Sequence, residues 1–174
     1  MRRHAVAAAM LAALAACEKG EKPPPSYDLA ALPRPTAPTA QPPAPPSDRD
    51  CLAEAIYFEG RGEERESQLA IAHVVLNRAS AKGAPRKTCD VIREGEELGK
   101  GRCQFSWRCD GRPDEPTNSA AWNEALRLAD TVLKGETTDP TQGALYFHHT
   151  KVQPDWTAKL RRTAAIGSHI YYAK

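Results

Sequence analysis

The chain has 174 residues, and 24 Lys and Arg against 22 Asp and Glu leave a net charge of +2. That length holds one ordinary domain with tails, and the near-balanced charge lacks the basic excess of a nucleic-acid-binding protein, so no nucleic acid is expected as a partner. No apolar run reaches the roughly 20 residues that cross a bilayer as a helix.

The chain opens on a basic Arg2-Arg3-His4, followed by the apolar segment AVAAAMLAALAA over Ala5–Ala16. A charged start, a short apolar stretch and a small-residue end make an export signal, too short for a membrane span. A buried Ala-rich helix is the plain alternative. The segment ends Leu14-Ala15-Ala16-Cys17, which resembles the lipobox of bacterial lipoproteins. The resemblance implies a signal peptide over 1–17, cleavage before Cys17 and lipidation of that cysteine. The membrane is then a partner through an N-terminal lipid anchor, which several acyl chains hold stably where one does not. Glu18 stands where an aspartate would retain a lipoprotein in the inner membrane, so the periplasmic face of the outer membrane is favoured. A plain secreted protein with an unmodified Cys17 is the alternative. Residues 18–50 carry most of the 15 prolines and read as a disordered linker, since neither helix nor strand survives that density. In polyproline-II geometry, at about 3.1 Å per residue, the linker reaches on the order of 100 Å.

Residues 51–174 read as the folded domain. It holds Cys51, Cys89, Cys103 and Cys109, and an even number in an exported domain predicts two disulfides. Three connectivities are open. The close spacing of Cys103 and Cys109 favours that pair, which leaves Cys51 with Cys89. Zinc is the alternative, although neither pair has C-x-x-C spacing.

Leu52, Ala55, Ile56 and Glu59 recur at helical spacing. Residues 51–59 therefore predict a helix with an acid on its apolar side, ended by Gly60-Arg61-Gly62. Glu63, Glu64 and Glu66 suit the positive end of a second helix, which runs to about Ala79. That helix is apolar on most sides and should be central to the core. Cys89 to Arg93 predicts a short helix, and 95–116 a long loop stapled by Cys103 and Cys109. Asn118 or Ser119 caps a helix to Leu133, with Trp122, Leu126, Ala129 and Leu133 as its buried stripe. Residues 143–149 predict a strand and 163–172 a hairpin bent at Gly167. The class is α+β, mostly helical, with a small three-stranded antiparallel sheet.

An acid on the apolar side of a helix, beside a glycine break, sits at a cleft edge. Partial desolvation raises a carboxyl pKa, and a glutamic acid kept protonated is the general acid that glycosidic cleavage requires. A Glu59 that pairs with Arg61 or Arg78, or simply faces water, is the alternative. Gln104, Ser106 and Trp107 offer amide, hydroxyl and indole groups on one stapled loop, which suits sugar binding. Alternatively, Phe105 and Trp107 plug the core. Tyr146 and His148 share one face of a strand and Phe147 takes the other; one of those faces must be core.

These residues carry a resemblance. AIYFEGRGE (55–63), QLAIAHVVLNR (68–78), CQFSWRCDG (103–111), ALYFHH (144–149) and IGSHIYY (166–172) together resemble the bacterial cell-wall hydrolase family of the SleB/CwlJ spore-cortex-lytic type. The similarity covers nearly all of 51–174. It implies a lysozyme-like α+β catalytic domain that degrades peptidoglycan in the cell envelope. It also implies a catalytic glutamate at Glu59 and a second acidic position at Glu63. Cys103 and Cys109 bracket the QFSW motif as in the Gram-negative members. The lipoprotein signal and linker depart from the spore enzymes, and no separate peptidoglycan-binding domain is recognisable. Wall remodelling is therefore favoured over germination.

A glycosidase with two carboxyls needs a partner for Glu59. Glu63 lies in the same motif, while Asp90, Asp110 and Asp139 cannot be placed from sequence. A lytic transglycosylase needs only one acid/base glutamate, because the muramic 6-hydroxyl attacks within its own sugar. The expectation is cleavage of the MurNAc–GlcNAc bond by a monomer without metal or cofactor, with Glu59 as acid and then base. Gln104, Ser106, Trp107, Tyr146 and His148 would hold the glycan strand. Two other readings stand beside it. An N-acetylmuramoyl-L-alanine amidase would place zinc on some of His73, His148, His149 and His169, although no H-E-x-x-H is present. A non-catalytic peptidoglycan-binding lipoprotein would be indifferent to Glu59→Gln.

Overall fold

A computed structural model describes residues 44–81 and 86–174. The expected signal segment, Cys17 and the linker as far as residue 43 lie outside the described residues. Helix α1 spans Asp48–Gly60. It starts ahead of the expected boundary at Cys51 because Ser47 and Asp50 form a reciprocal cap. Asp50 N–H donates to Ser47 Oγ at 3.2 Å, and Ser47 N–H donates to the Asp50 carboxylate at 3.0 Å. Residues 48–50 thus form the first turn of α1.

Leu52, Ala55 and Ile56 of α1 are buried, as their spacing requires. Gly60 ends the helix where it meets the next one. A Cβ there would lie 3.1 Å from Gln68 Cγ and from Ile71 Cδ1, so its absence lets the two helices close. Gln68 Nε2 donates to Gly60 O at 3.1 Å across the same junction. Helix α2, Arg65–Ala81, buries residues on most of its sides, from Ala70 and Ile71 to Val74 and Val75. It packs against α1, the short α3 (Thr88–Ile92) and α4 (Ser119–Leu133), and it also reaches the sheet. The expectation that this helix is central therefore holds.

Helix α4 starts at an Asn118 cap whose side chain accepts from Ala121 N–H at 3.0 Å. Its buried stripe is Ala125, Leu128, Ala129 and Val132. This corrects the expected stripe: Leu133 is 41% exposed, and Trp122 and Leu126 are half-buried. The small Ala125 and Ala129 go inward beside Leu128 and Val132, so the helix is rolled from the face that Trp122 and Leu133 suggest.

Strands β1 (Tyr146–His149), β2 (Arg161–Ile166) and β3 (His169–Ala173) form an antiparallel sheet in the order β1-β3-β2. The β2–β3 hairpin turns at Gly167, as expected, with a bulge between Arg162 and Ala164. Ala70 and Val74 of α2 receive Ala144 and Tyr171 from the sheet side, which makes a second, smaller core. The domain is α+β and mostly helical.

Both expected disulfides are formed, Cys51–Cys89 and Cys103–Cys109. The first ties α1 to α3 across 38 residues of sequence. Chain entropy gives such a loop about 4 kcal/mol. The Cys51→Ser/Cys89→Ser variant is expected to lose a stability of that order, read as a lower urea midpoint with intact secondary structure.

Candidate active site

A cleft of about 550 Å³ opens where the end of α1, the loop into α2, the stapled loop and the sheet converge. Glu59 enters from the last turn of α1, and Glu63 from the loop that follows. Gln104 and Ser106 come from the stapled loop, and Phe147, His149 and His169 from the sheet. Arg78, from the far end of α2, contributes to the same wall.

The two glutamates sit in opposed environments. Burial pushes the Glu59 carboxyl above its ordinary value of 4.5, while the Arg78 guanidinium and the Trp107 indole N–H pull it down. The indole approaches without a hydrogen bond of normal geometry. Glu63 is held below 4.5, chiefly by hydrogen bonding from Ser168, whose N–H donates to Glu63 Oε2 at 3.2 Å. Ser67 and the nearby His169 favour the same ionised form. One cleft therefore holds a carboxyl inclined to keep its proton and another inclined to lose it, the arrangement that separates acid from base roles.

The raised pKa of Glu59 has a stability consequence. The folded state holds this proton more tightly than the unfolded chain. The resulting stabilisation is complete below the unfolded value near 4.5 and disappears as pH rises through the folded value. Glu59→Gln is therefore expected to melt higher than wild type at mildly alkaline pH, with the gap closing in acid. Thermal unfolding of both forms across pH checks this.

Sequence reasoning placed Glu59, Glu63, Gln104 and Ser106 together, and all four line the cleft. Two expected glycan contacts, Trp107 and Tyr146, are placed away from the cleft. Trp107 is 9% exposed and its ring stacks on Phe58 at 4.6 Å, so it offers no sugar platform and instead backs Glu59. Phe105, 2% exposed, likewise plugs the core. Tyr146 packs beside Trp156, with ring centroids 5.9 Å apart, and does not line the cleft. His148 borders the cleft, but both its ring nitrogens are engaged. Nδ1 donates to His149 O at 3.0 Å, and Nε2 accepts from the Tyr172 hydroxyl at 3.1 Å. Strand alternation puts Tyr146 and His148 on one face, as expected, and the other face carries Phe147 and His149 into the cleft.

Arg78, Phe147, His149 and His169 also line the cleft and were not among the expected contacts. Arg78 had a signal: it follows the apolar run LAIAHVVL on the helix expected to be central, and it is half-buried. Its Nε donates to Leu145 O at 2.7 Å, and the Phe105 and Phe147 rings lie 5.2 and 5.8 Å from its guanidinium carbon. Burial pulls its pKa down to about 10, which still leaves it a cation at neutral pH. His169 is 5% exposed, and its Nδ1 has no hydrogen-bond partner among the described residues.

The other candidate acids lie elsewhere. Asp139 accepts from Thr141 N–H, Thr141 Oγ1, Gly143 N–H and Asn77 Nδ2, which commits it to a turn. Asp110 accepts from Arg112 N–H at 2.8 Å outside the cleft, and Asp90 is exposed. His73 pairs through Nε2 with Thr137 Oγ1 at 2.9 Å. Among the described residues, no group of three or more His, Cys, Asp and Glu is arranged to hold a metal ion.

Residues 62–172 match a family model described as Cell Wall Hydrolase. The match starts just beyond Glu59 and includes Glu63. The chain is 32% identical over 127 residues to the spore cortex-lytic enzyme of Bacillus subtilis, which covers 72% of this chain and 37% of that one. It is 32% identical over 136 residues to the spore cortex-lytic enzyme of Halalkalibacterium halodurans, covering 74% and 36%. The chain thus spans little more than a third of the length of these relatives. Among solved structures it is similar to the catalytic domain of the Bacillus cereus SleB protein. The TM-score is 0.54 at 28% identity, over 72% of this chain and 89% of that one. It is also similar to the catalytic domain of the germination-specific lytic transglycosylase SleB from Bacillus anthracis. Here the TM-score is 0.52 at 25% identity, over 82% of this chain and all of that one.

Proposed function

The chain belongs to the cell wall hydrolase family, and from that premise we propose that it degrades peptidoglycan by cutting the MurNAc–GlcNAc bond as a lytic transglycosylase. The observation that carries this is the pair of carboxyls in one cleft, Glu59 held toward its protonated form and Glu63 toward its ionised form. Glu59 donates its proton to the glycosidic oxygen, and the bond from that oxygen to muramyl C1 breaks. The Glu63 carboxylate stabilises the positive charge that develops on the sugar ring. The Glu59 carboxylate then takes the proton of the muramyl 6-hydroxyl as that oxygen bonds to C1. No water is consumed, and Glu59 ends protonated again. Gln104 and Ser106 are exposed on the stapled loop and hold the strand by hydrogen bonds, while Phe147 and His149 bound it from the sheet.

Glu63 also favours a second reading, a two-carboxyl hydrolase in which water takes the place of the 6-hydroxyl. Mass spectrometry of the soluble products from isolated peptidoglycan separates the two. Anhydromuramyl ends are expected. Reducing ends would replace transglycosylation by hydrolysis. Stem peptides freed from the muramyl lactyl group would overturn glycan cleavage and favour an amidase.

The protein works as a monomer in the cell envelope, exported and lipid-anchored at Cys17 on the periplasmic face of the outer membrane. The Leu14-Ala15-Ala16-Cys17 sequence supports the export and the anchor. Cys17→Ser is expected to move the protein from the membrane fraction to the soluble fraction; unchanged partition would contradict the anchor.

A further inference from the structure

Arg78 borders a second cavity besides the cleft, a smaller one of about 200 Å³, and Gln104 also lies on both. The two spaces are therefore direct neighbours. The smaller one is also bordered by Arg86, Glu94 and Tyr146, with the exposed Lys174 at its mouth. Arg86 pairs with Glu94 at 3.3 Å, with their side chains 23% and 34% exposed. Arg78 supplies a second guanidinium, whose Nη1 is buried without a hydrogen-bond partner among the described residues. Arg78 and Arg86 outnumber Glu94, the one acidic side chain bordering the cavity, and guanidiniums are a carboxylate-binding chemistry.

We propose that this cavity is a carboxylate subsite of the glycan cleft. It takes the carboxylate carried by the muramyl substituent of the bound strand, with Arg78 and Arg86 as donors. The proposal rests on the glycan-cleaving reading and adds a specificity to it. The carboxylate has two chemical sources. In strands that bear stem peptides the lactyl group is amide-bonded, and the acid belongs to the peptide. In strands stripped by an amidase, the lactyl carboxylate itself is free.

The experiment compares initial cleavage rates of the purified chain on intact glycan strands and on amidase-stripped strands, for wild type and for Arg86→Gln and Arg86→Lys. Wild type is expected to prefer one of them by about tenfold, the worth of one charge-assisted hydrogen bond. Preference for intact strands assigns the stem peptide, and preference for stripped strands assigns the lactyl group. Arg86→Gln should collapse the ratio toward one, and Arg86→Lys should restore part of it. Melting curves check that both variants fold. Equal wild-type rates on the two strands overturn the subsite whatever the variants do, and so does a ratio unchanged in a folded Arg86→Gln. If wild type cuts neither strand, the glycan-cleaving reading itself falls, and the subsite falls with it.

Discussion

Replacing Glu59 by glutamine is expected to lower the rate of wall cleavage by about 10²–10⁴-fold, the range that a positioned general acid contributes. Glutamine keeps the length and shape of the side chain and still presents an oxygen toward the Trp107 indole. It has no proton to give to the glycosidic oxygen. Because the burial that raises the Glu59 pKa is a cost to the folded state, the variant should fold at least as well as wild type, so a loss of activity cannot be ascribed to unfolding. Sedimentation with isolated wall should be unchanged. Glu59→Asp keeps the proton but withdraws it by one methylene, and a misplacement of about 1 Å costs on the order of 10²-fold. A glutamine variant that cuts the wall at the wild-type rate would remove Glu59 from the chemistry and leave a wall-binding protein.

The second large effect is expected at Gly167. Its φ is +53°, and a Cβ built there would lie 2.5 Å from Glu63 Oε2 and closer still to Ser67 Oγ. The hairpin turn can approach the loop into α2 only because this residue has no side chain. Gly167→Ala would add a left-handed backbone penalty of about 1–2 kcal/mol to an overpacking cost of about 1–3 kcal/mol. It would also push Glu63 off the Ser168 N–H that it accepts. A fall in stability of about 2–5 kcal/mol together with reduced cleavage is expected. Gly135→Ala is the control: φ there is +71°, yet no atom lies within 4 Å of the built Cβ. It should cost only the backbone part and leave cleavage alone. Equal effects at the two glycines would mean that the contact with Glu63 does not matter.

The parts of the molecule that were legible in the sequence are those set by local spacing. The acid on the apolar side of α1, the glycine stop after it, the Asn118 cap and the hairpin at Gly167 each depend on a few adjacent residues. The structure has all four. What was not legible depends on which surface packs against what. Strand alternation separates Tyr146 and His148 from Phe147 and His149, but only packing shows that Trp156 covers the first pair and that Phe147 lies against α2. Trp107 reads equally well as a sugar platform or a core plug until Phe58 is seen beneath it. The tie between Glu63 and Ser168 joins residues 105 positions apart, beyond the reach of any local pattern. Arg78 falls between these cases: its burial could be read from the apolar helix, but not the two cavities it borders.

The central claim is that burial raises the pKa of the Glu59 carboxyl and so favours the protonated form that acid catalysis uses. Carbon-13 NMR titration of the glutamate side-chain carboxyls in the purified chain, with Glu59→Gln to assign the resonance, tests it most directly. The predicted midpoint for Glu59 lies above the ordinary 4.5 and coincides with the alkaline fall of the cleavage rate, while that of Glu63 lies below it. A Glu59 midpoint at or below 4.5, or an alkaline fall in rate that Glu59 does not follow, would contradict it.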